Sequence, residues 1–283
     1  MPNKQGLTTV KLPSGETVPA LGQGTWQMAD HASTRADEIA ALRLGIEMGA
    51  TLIDTAEMYG EGRAEELVAE AIEGQRDRVF LVSKVYPHNA SRAGTLAACE
   101  RSLKRLKTDR LDLYLLHWRG SIPLSETIEG FMDLHHAGKI RYYGVSNFDL
   151  ADMQELWSVP GGSATATNQV LYNLTRRSIE HELLPWLRDK GVPLMAYSPL
   201  EKGKLIHDQK LNEFGKRHGL TAAQVAIGWL LAQPQVIVIP KSGSPERLKQ
   251  NLKVWESPLS REQLSELDKL FPAPKERRPL EMI

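Results

Sequence analysis

Residues 51–60 read Thr51-Leu52-Ile53-Asp54-Thr55-Ala56-Glu57-Met58-Tyr59-Gly60. A short apolar run closes on a carboxylate, and a tyrosine follows within the next loop. The run reads as a buried strand. The construction recurs downstream, where residues 79–84 end on Lys84 and residues 111–117 end on His117. Further strand-like runs at residues 21–25, 141–146, 166–170, 193–197 and 236–240 bring the predicted strands to eight.

Amphipathic stretches fill the gaps, at residues 34–48, 64–72, 93–106, 124–136, 151–157, 179–190 and 221–232. In the last of these Ala223, Val225, Ala226, Trp229 and Leu230 recur at helical spacing. Ser33 or Thr34 is placed to cap the first helix and Gly49 to end it. Ser244-Pro245-Glu246 puts a capping oxygen before a proline at the first helical position. Thr221 opens a helix after Gly219. Strand and helix in alternation imply a parallel sheet. Eight such units in this length imply a closed (β/α)8 TIM barrel, with an open doubly wound sheet as the second choice. Residues 10–18, with Pro13-Ser14-Gly15 in their middle, read as a β-hairpin ahead of the barrel. No linker, charge block or low-complexity tract divides the chain, so residues 1–283 are expected to form a single domain. A short tail follows Phe271, in which Pro272, Pro274 and Pro279 oppose helix.

The 283 residues are 41% hydrophobic and 25% charged, with 35 Lys plus Arg against 35 Asp plus Glu. That is an ordinary globular composition, and it lacks the basic excess of a nucleic-acid binder. The single cysteine, Cys99, excludes an internal disulfide. The first residues lack the apolar core of a signal peptide. No run approaches the ~18 apolar residues of a membrane span. The expected compartment is the cytoplasm, and the expected state a monomer without metal. His181-Glu182 lacks the second histidine of a zinc helix, and His135-His136 beside Gly138 reads as a solvated helix end.

In a barrel the strand ends converge on one face, so Asp54, Tyr59, Lys84 and His117 are expected to meet there. A lysine closing an apolar strand needs a partner, and Asp54 is the obvious one. A phenol with its ordinary pKa near 10 is a reluctant donor at neutral pH. One ammonium at ~4 Å, at an effective dielectric of ~20, supplies roughly the 3–4 kcal/mol that would make it acidic. Lys84 is therefore expected to tune Tyr59, Asp54 to position Lys84 while offsetting part of its effect, and His117 to hydrogen-bond a substrate carbonyl. Singly, Asp54 could cap a helix, Tyr59 pack in a loop and His117 sit in a core. The four together at strand ends are the stronger signal.

The chain resembles the aldo-keto reductase family over nearly its whole length. The resemblance lies in Gly49-x4-Asp54-Thr55-Ala56-Glu57-x-Tyr59-Gly60, Leu115-Leu116-His117-Trp118, Gly144-Val145-Ser146-Asn147-Phe148, Asn168-Gln169, Tyr197-Ser198-Pro199-Leu200 and Ile239-Pro240-Lys241-Ser242. It is similar to bacterial members that reduce methylglyoxal and other small aldehydes. The resemblance implies an NADPH-dependent carbonyl reductase with Tyr59 as acid. It implies that Ser146, Asn147 and Gln169, which carry the donors and acceptors an amide needs, hold the nicotinamide carboxamide and that Tyr197 stacks on its ring. Lys241, Ser242 and Arg247 bracket a helix start that suits an anion. Arg247, Gln250 and Asn251 share a helical face, and the resemblance assigns this region to the 2′-phosphate and adenine. Position 250 is Gln where many relatives have Glu. Further nucleotide contacts are expected from Gly24, Thr25, Trp26, Asp54, Ser198, Pro199, Leu200, Lys204, Ile239 and Pro240, with Lys202 an alternative to Lys204. Gly22-Gln23-Gly24 continues with Thr25-Trp26, which is not the Rossmann fingerprint.

The pocket for a small carbonyl compound is expected to be open and apolar, bounded by Trp26, Met58, Tyr59, Tyr86, His117 and Trp118. Two rival readings stand beside this one. One is a non-catalytic NADPH sensor on the same scaffold. The other is a barrel hydrolase or lyase that pairs Asp54 with Glu57.

Overall fold

The structure, a computed structural model, describes residues 7–283. A hairpin of β1 (Thr9–Lys11) and β2 (Thr17–Pro19) precedes eight parallel strands: β3 (Gln23–Gly24), β4 (Leu52–Asp54), β5 (Phe80–Val85), β6 (Leu111–Leu116), β7 (Ile140–Ser146), β8 (Asn168–Leu171), β9 (Leu194–Tyr197) and β10 (Val236–Val238). Each pairs with its sequence neighbour. The sheet closes where the first strand meets the last. Val238 donates to the Ala20 carbonyl at 2.7 Å, Gly22 to Val238 at 2.8 Å and Gly24 to Pro240 at 3.0 Å. Glycine is required on both sides of β3: a Cβ on Gly24 would lie 2.9 Å from the Ile239 carbonyl oxygen at the seam, and one on Gly22 2.8 Å from that of Leu52 in β4. The Gly22-Gln23-Gly24 stretch thus serves barrel closure.

The helices are α1 (Arg35–Met48), α2 (Arg63–Ala71), α3 (Arg92–Leu106), α4 (Leu124–His136), α5 (Leu150–Ser158), α6 (Leu183–Asp189), α7 (Gln209–His218), α8 (Ala222–Leu231), α9 (Pro245–Leu252) and α10 (Arg261–Leu270). The (β/α)8 barrel with its leading hairpin is therefore as expected, and several local expectations are corrected. Neither Ser33 nor Thr34 caps α1 through its side chain: a 3-10 turn at Ala32–Thr34 leads in, and the Thr34 hydroxyl donates to the His31 carbonyl. Gly49 does end α1, in the left-handed conformation. The helix expected over residues 179–190 is split into a 3-10 turn at Ser178–Glu180 and α6. Pro185, which lacks an N–H, can occupy only the first turn of that helix. Thr221 and Ser244 cap α8 and α9 with their side chains. Helix α10 and its Ser260 cap were not anticipated.

Side-chain parity positions the site. Alternate residues of a strand face opposite ways. Leu52 of β4, Phe80 and Val82 of β5, and Leu113 and Leu115 of β6 pack with Val10, Leu12 and Val18 of the hairpin in a cluster inside the barrel. Their intervening neighbours Ile53, Leu81 and Tyr114 join the larger cluster beneath the helices. Continuing the inward parity to the carboxyl end of each strand gives Asp54, Lys84 and His117. The hairpin covers the opposite end of the interior. Among the described residues no helix is long and apolar enough to cross a membrane, and no group of three or more His, Cys, Asp and Glu is arranged to hold a metal ion.

Candidate active site

Lys84 is fully buried and its ammonium has three partners. It donates to Asp54 Oδ2 at 2.8 Å, to the Thr55 carbonyl at 2.8 Å and to the Tyr59 hydroxyl at 3.1 Å. The other oxygen of Asp54 accepts from Gln169 Nε2 at 2.8 Å, which links β4 across the barrel to β8. His117 lies edge-on to the Tyr59 ring, their centroids 5.9 Å apart. Asn147 Nδ2 donates to the His117 carbonyl at 3.1 Å.

Local backbone sets Tyr59. Gly60, Glu61 and Gly62 follow it in the left-handed region, at φ of 57°, 56° and 92°. That conformation is strained for Glu61. Glu57 anchors the loop from below, accepting from the Tyr86 amide at 2.8 Å, Asn89 Nδ2 at 3.0 Å and Arg101 at 3.5 Å. Glu57 and Asp54 thus have separate partners and face separate surroundings. This counts against the paired-carboxylate hydrolase or lyase.

Burial dominates the electrostatics. It raises the Tyr59 pKa, Lys84 opposes it, and Asp54 adds to it, so the net shift is upward. The expected acidification is corrected here: the ammonium's effect is smaller than the desolvation of the phenolate, and Asp54 cancels part of it. Burial alone would lower Lys84, but Asp54 and then Tyr59 outweigh it and hold the ammonium charged. Burial, with the Lys84 charge beside it, lowers His117 to about 2, so the imidazole is neutral. Its Nδ1 is buried without a partner.

These groups open into a cleft of about 720 Å3 at the carboxyl ends of the strands. Asp54, Met58, Tyr59, His117 and Trp118 line one end; Lys241, Ser242, Arg247, Gln250 and Asn251 line the other, at the start of α9. Between them lie Gly24, Trp26, Ser146, Asn147, Gln169, Tyr197, Ser198, Pro199, Leu200, Ile239 and Pro240. The Tyr197 hydroxyl donates to Asn147 Oδ1 at 3.0 Å, and Ser146 Oγ donates to the Gln169 carbonyl at 2.9 Å.

Some expected lining residues are elsewhere. Lys84 forms the floor beneath Tyr59. Thr25 is buried, with its hydroxyl donating to the Asp54 carbonyl at 3.0 Å. Tyr86 is not among the lining residues; its ring packs against His88, Trp118 and His117, and its backbone N–H donates to Glu57. Lys204 is not among the residues lining the cleft; burial raises the Glu201 carboxyl, but hydrogen bonds from Arg176 and Asn173, with a small contribution from Lys204, hold it below its usual range. Its neighbour Lys202 lines the cleft with its ammonium 4.7 Å above the Trp26 ring. Unanticipated lining comes from Glu38, which accepts from the Ala29 amide at 2.9 Å, and from Met282 and Ile283 of the tail. The tail's prolines announced the absence of helix but not its return to the cleft.

Comparison with known proteins gives a consistent answer. The Aldo/keto reductase family profile matches residues 20–271. Methylglyoxal reductase YeaE of Escherichia coli is 52% identical over 272 residues, covering 94% of this chain and 96% of that protein. The crystal structure of an aldo/keto reductase from Klebsiella pneumoniae in complex with NADP and acetate is 49% identical, with a TM-score of 0.94 over 97% of this chain and 99% of that one. A second aldo-keto reductase structure from Klebsiella pneumoniae, in complex with NADPH, is 48% identical, with a TM-score of 0.95 over 98% and 99% of the two chains. With a profile match across most of its length and these relatives at about half identity, the chain belongs to the aldo/keto reductase family.

Proposed function

We propose that this protein uses NADPH to reduce small aldehydes and dicarbonyls, methylglyoxal among them, to alcohols, with Tyr59 delivering the proton to the carbonyl oxygen. The observation that carries this reading is the fully buried Lys84 ammonium bridging Asp54 and the Tyr59 hydroxyl at the floor of a large cleft.

The cleft's own residues fit a phosphorylated dinucleotide. Lys241 and Arg247 stand at the capped start of α9, where backbone N–H groups already favour an anion. Both face the cleft, and among the described residues neither is engaged in an ion pair. They are assigned to the 2′-phosphate, with Gln250 and Asn251 toward the adenine. Ser146, Asn147 and Gln169 would hold the carboxamide, and Tyr197 would offer its face to the nicotinamide ring. The Lys202 side chain over Trp26 would roof the middle of the cleft. The chemistry that reduced NADPH supplies when bound is the hydride for the carbonyl carbon.

The remaining work falls to the chain's side chains. Neutral His117 offers a ring N–H to the carbonyl oxygen and keeps that role through the acidic range, since its pKa lies at about 2. Tyr59 stays protonated because burial raises its pKa. It is therefore loaded with the proton it must give, and the Lys84 ammonium steadies the phenolate that results. Asp54 and the Thr55 carbonyl hold that ammonium in place. Trp26, Met58, Trp118, Met282 and Ile283 offer an apolar mouth suited to small, uncharged carbonyl compounds. A close relative named as a methylglyoxal reductase supports that substrate class.

The test follows NADPH absorbance with methylglyoxal and a panel of aliphatic and aromatic aldehydes, for the native protein and Tyr59→Phe. Turnover of several carbonyls by the native protein is expected, with turnover collapsing in the variant while NADPH binding persists. A sensor would bind NADPH with little turnover in either protein. Strict preference for one bulky substrate would refute the open pocket.

A further inference from the structure

The loop after β9 and the tail after α10 are fastened to the same guanidinium. Ser198, Glu201, Lys202 and Gly203 of the loop lie at φ of 48°, 50°, 51° and 86°. Three non-glycine residues in the left-handed region within one short loop persist only where the surroundings over-determine them. The buried Glu201 carboxylate supplies that constraint. Its Oε2 accepts from Asn173 Nδ2 at 2.9 Å, and its Oε1 from Arg176 Nε and Nη2 at 3.0 and 2.8 Å. Asn173 Nδ2 also donates to the Ser198 carbonyl at 2.9 Å. Lys202, the next residue, crosses the cleft to Trp26.

The last nitrogen of the same fork, Arg176 Nη1, donates to Glu281 Oε1 at 2.6 Å. The residues that follow, Met282 and Ile283, line the cleft. Two separate stretches of chain therefore cover one cavity, and each is held by an arm of one rigid, planar group. A guanidinium cannot turn to follow one carboxylate without leaving the other.

We propose that Arg176 is a positioning residue that couples the grip on the nucleotide to closure of the carbonyl pocket. The proposal rests on the assignment of the cleft to NADPH and a carbonyl substrate. Release of the tail at Glu281 frees one arm of the fork and loosens Glu201, and with it the Lys202 roof. Glu281 itself does not line the cleft, so an effect of its removal on nucleotide release travels either through Arg176 or through Met282 and Ile283 beside it; a Glu281→Gln effect that disappears in the Arg176→Lys background identifies the first route.

The experiment compares native protein with Glu281→Gln and Arg176→Lys. Three quantities are measured: the NADPH dissociation rate by stopped-flow fluorescence, KM for methylglyoxal, and the thermal midpoint. A partly exposed ion pair is worth up to roughly 1 kcal/mol, about a five-fold effect. Glu281→Gln is expected to raise the NADPH dissociation rate and the carbonyl KM together, each by about three-fold, with little change in thermal midpoint. Arg176→Lys, which keeps the charge and loses the fork, is expected to raise both further. A Glu281→Gln protein with an altered carbonyl KM but native NADPH release would overturn the coupling, as would one with neither quantity changed. If the native protein bound no NADPH or reduced no carbonyl, the proposed function would fail instead, and that outcome is read before any variant is made.

Discussion

Both ends of the barrel concentrate charge, with opposite chemical character. At the hairpin end Asp112 of β6 accepts from the Leu81 amide at 2.8 Å, from Arg76 at 2.8 Å and from Arg141 at 2.9 Å. Arg141 continues to Glu16 of the hairpin turn, which also accepts from the Tyr142 hydroxyl, both at 2.6 Å. At the cleft end Lys84 meets one carboxylate, one carbonyl and one phenol. Arginine is permanently charged and forked, so the hairpin end is a fastening that exchanges no proton near neutrality. The cleft end uses lysine and tyrosine, groups with a proton to move, and leaves the half-buried phenol at the cleft wall. The same fold thus separates a closure built from arginine from a proposed reaction centre built from titratable groups.

Substitutions at the two ends should separate along that line. Tyr59→Phe has the largest expected effect, a fall of about 10²–10⁴ in kcat with the fold unchanged, measured by NADPH consumption and circular dichroism. Lys84→Met leaves Asp54 buried without its cation; a loss of roughly 3–5 kcal/mol of stability is expected along with the activity, read from urea unfolding and turnover. Native activity in Lys84→Met would dissolve the distinction between the ends.

His117 gives a pH-dependent effect. Its folded pKa of about 2 lies below the unfolded value near 6.5, so its contribution is fully present above pH ~6.5 and is lost as pH falls toward about 2. Relative to His117→Gln, the native protein should lose up to ~1.4 kcal/mol of stability per pH unit in that window. Parallel pH profiles of stability would contradict the neutral, buried imidazole. At the hairpin end Asp112→Asn should cost about 1–3 kcal/mol of stability and leave kcat within about two-fold. A large loss of turnover there would mean that the fastening also shapes the cleft.

The contrast explains what could be read from the chain beforehand. Asp54, Lys84 and His117 were legible because each closes an apolar run, and a charged or polar group at such a place needs a reason. The (β/α)8 alternation was legible from eight such runs and the helical stretches between them. Contacts made by long side chains across loops were not. Lys202 and Lys204 are indistinguishable as letters, and only the left-handed backbone from Glu201 to Gly203 turns one of them toward Trp26. Tyr86 is a weaker wall candidate in the sequence, and its ring is taken up by contacts with His88, His117 and Trp118 that no local pattern announces. The direction of the Tyr59 shift is not legible in the sequence, because desolvation, the larger effect, depends on burial that neighbouring letters do not show. The return of the tail rests on Arg176 and Glu281, 105 positions apart, a pairing that no local pattern announces.

The glycine seam has a consequence for how the protein is made. Hydrogen bonds join residues 20–24 to residues 238–240, so the ring cannot be completed until residues 238–240 have left the ribosome. Until then β3 keeps an unpaired edge, the kind of surface that invites wrong partners during synthesis. Contacts this distant also slow the final folding step. A bulky residue at position 24 would prolong that exposure and should appear first as poor soluble yield, before any defect in the purified enzyme is measured.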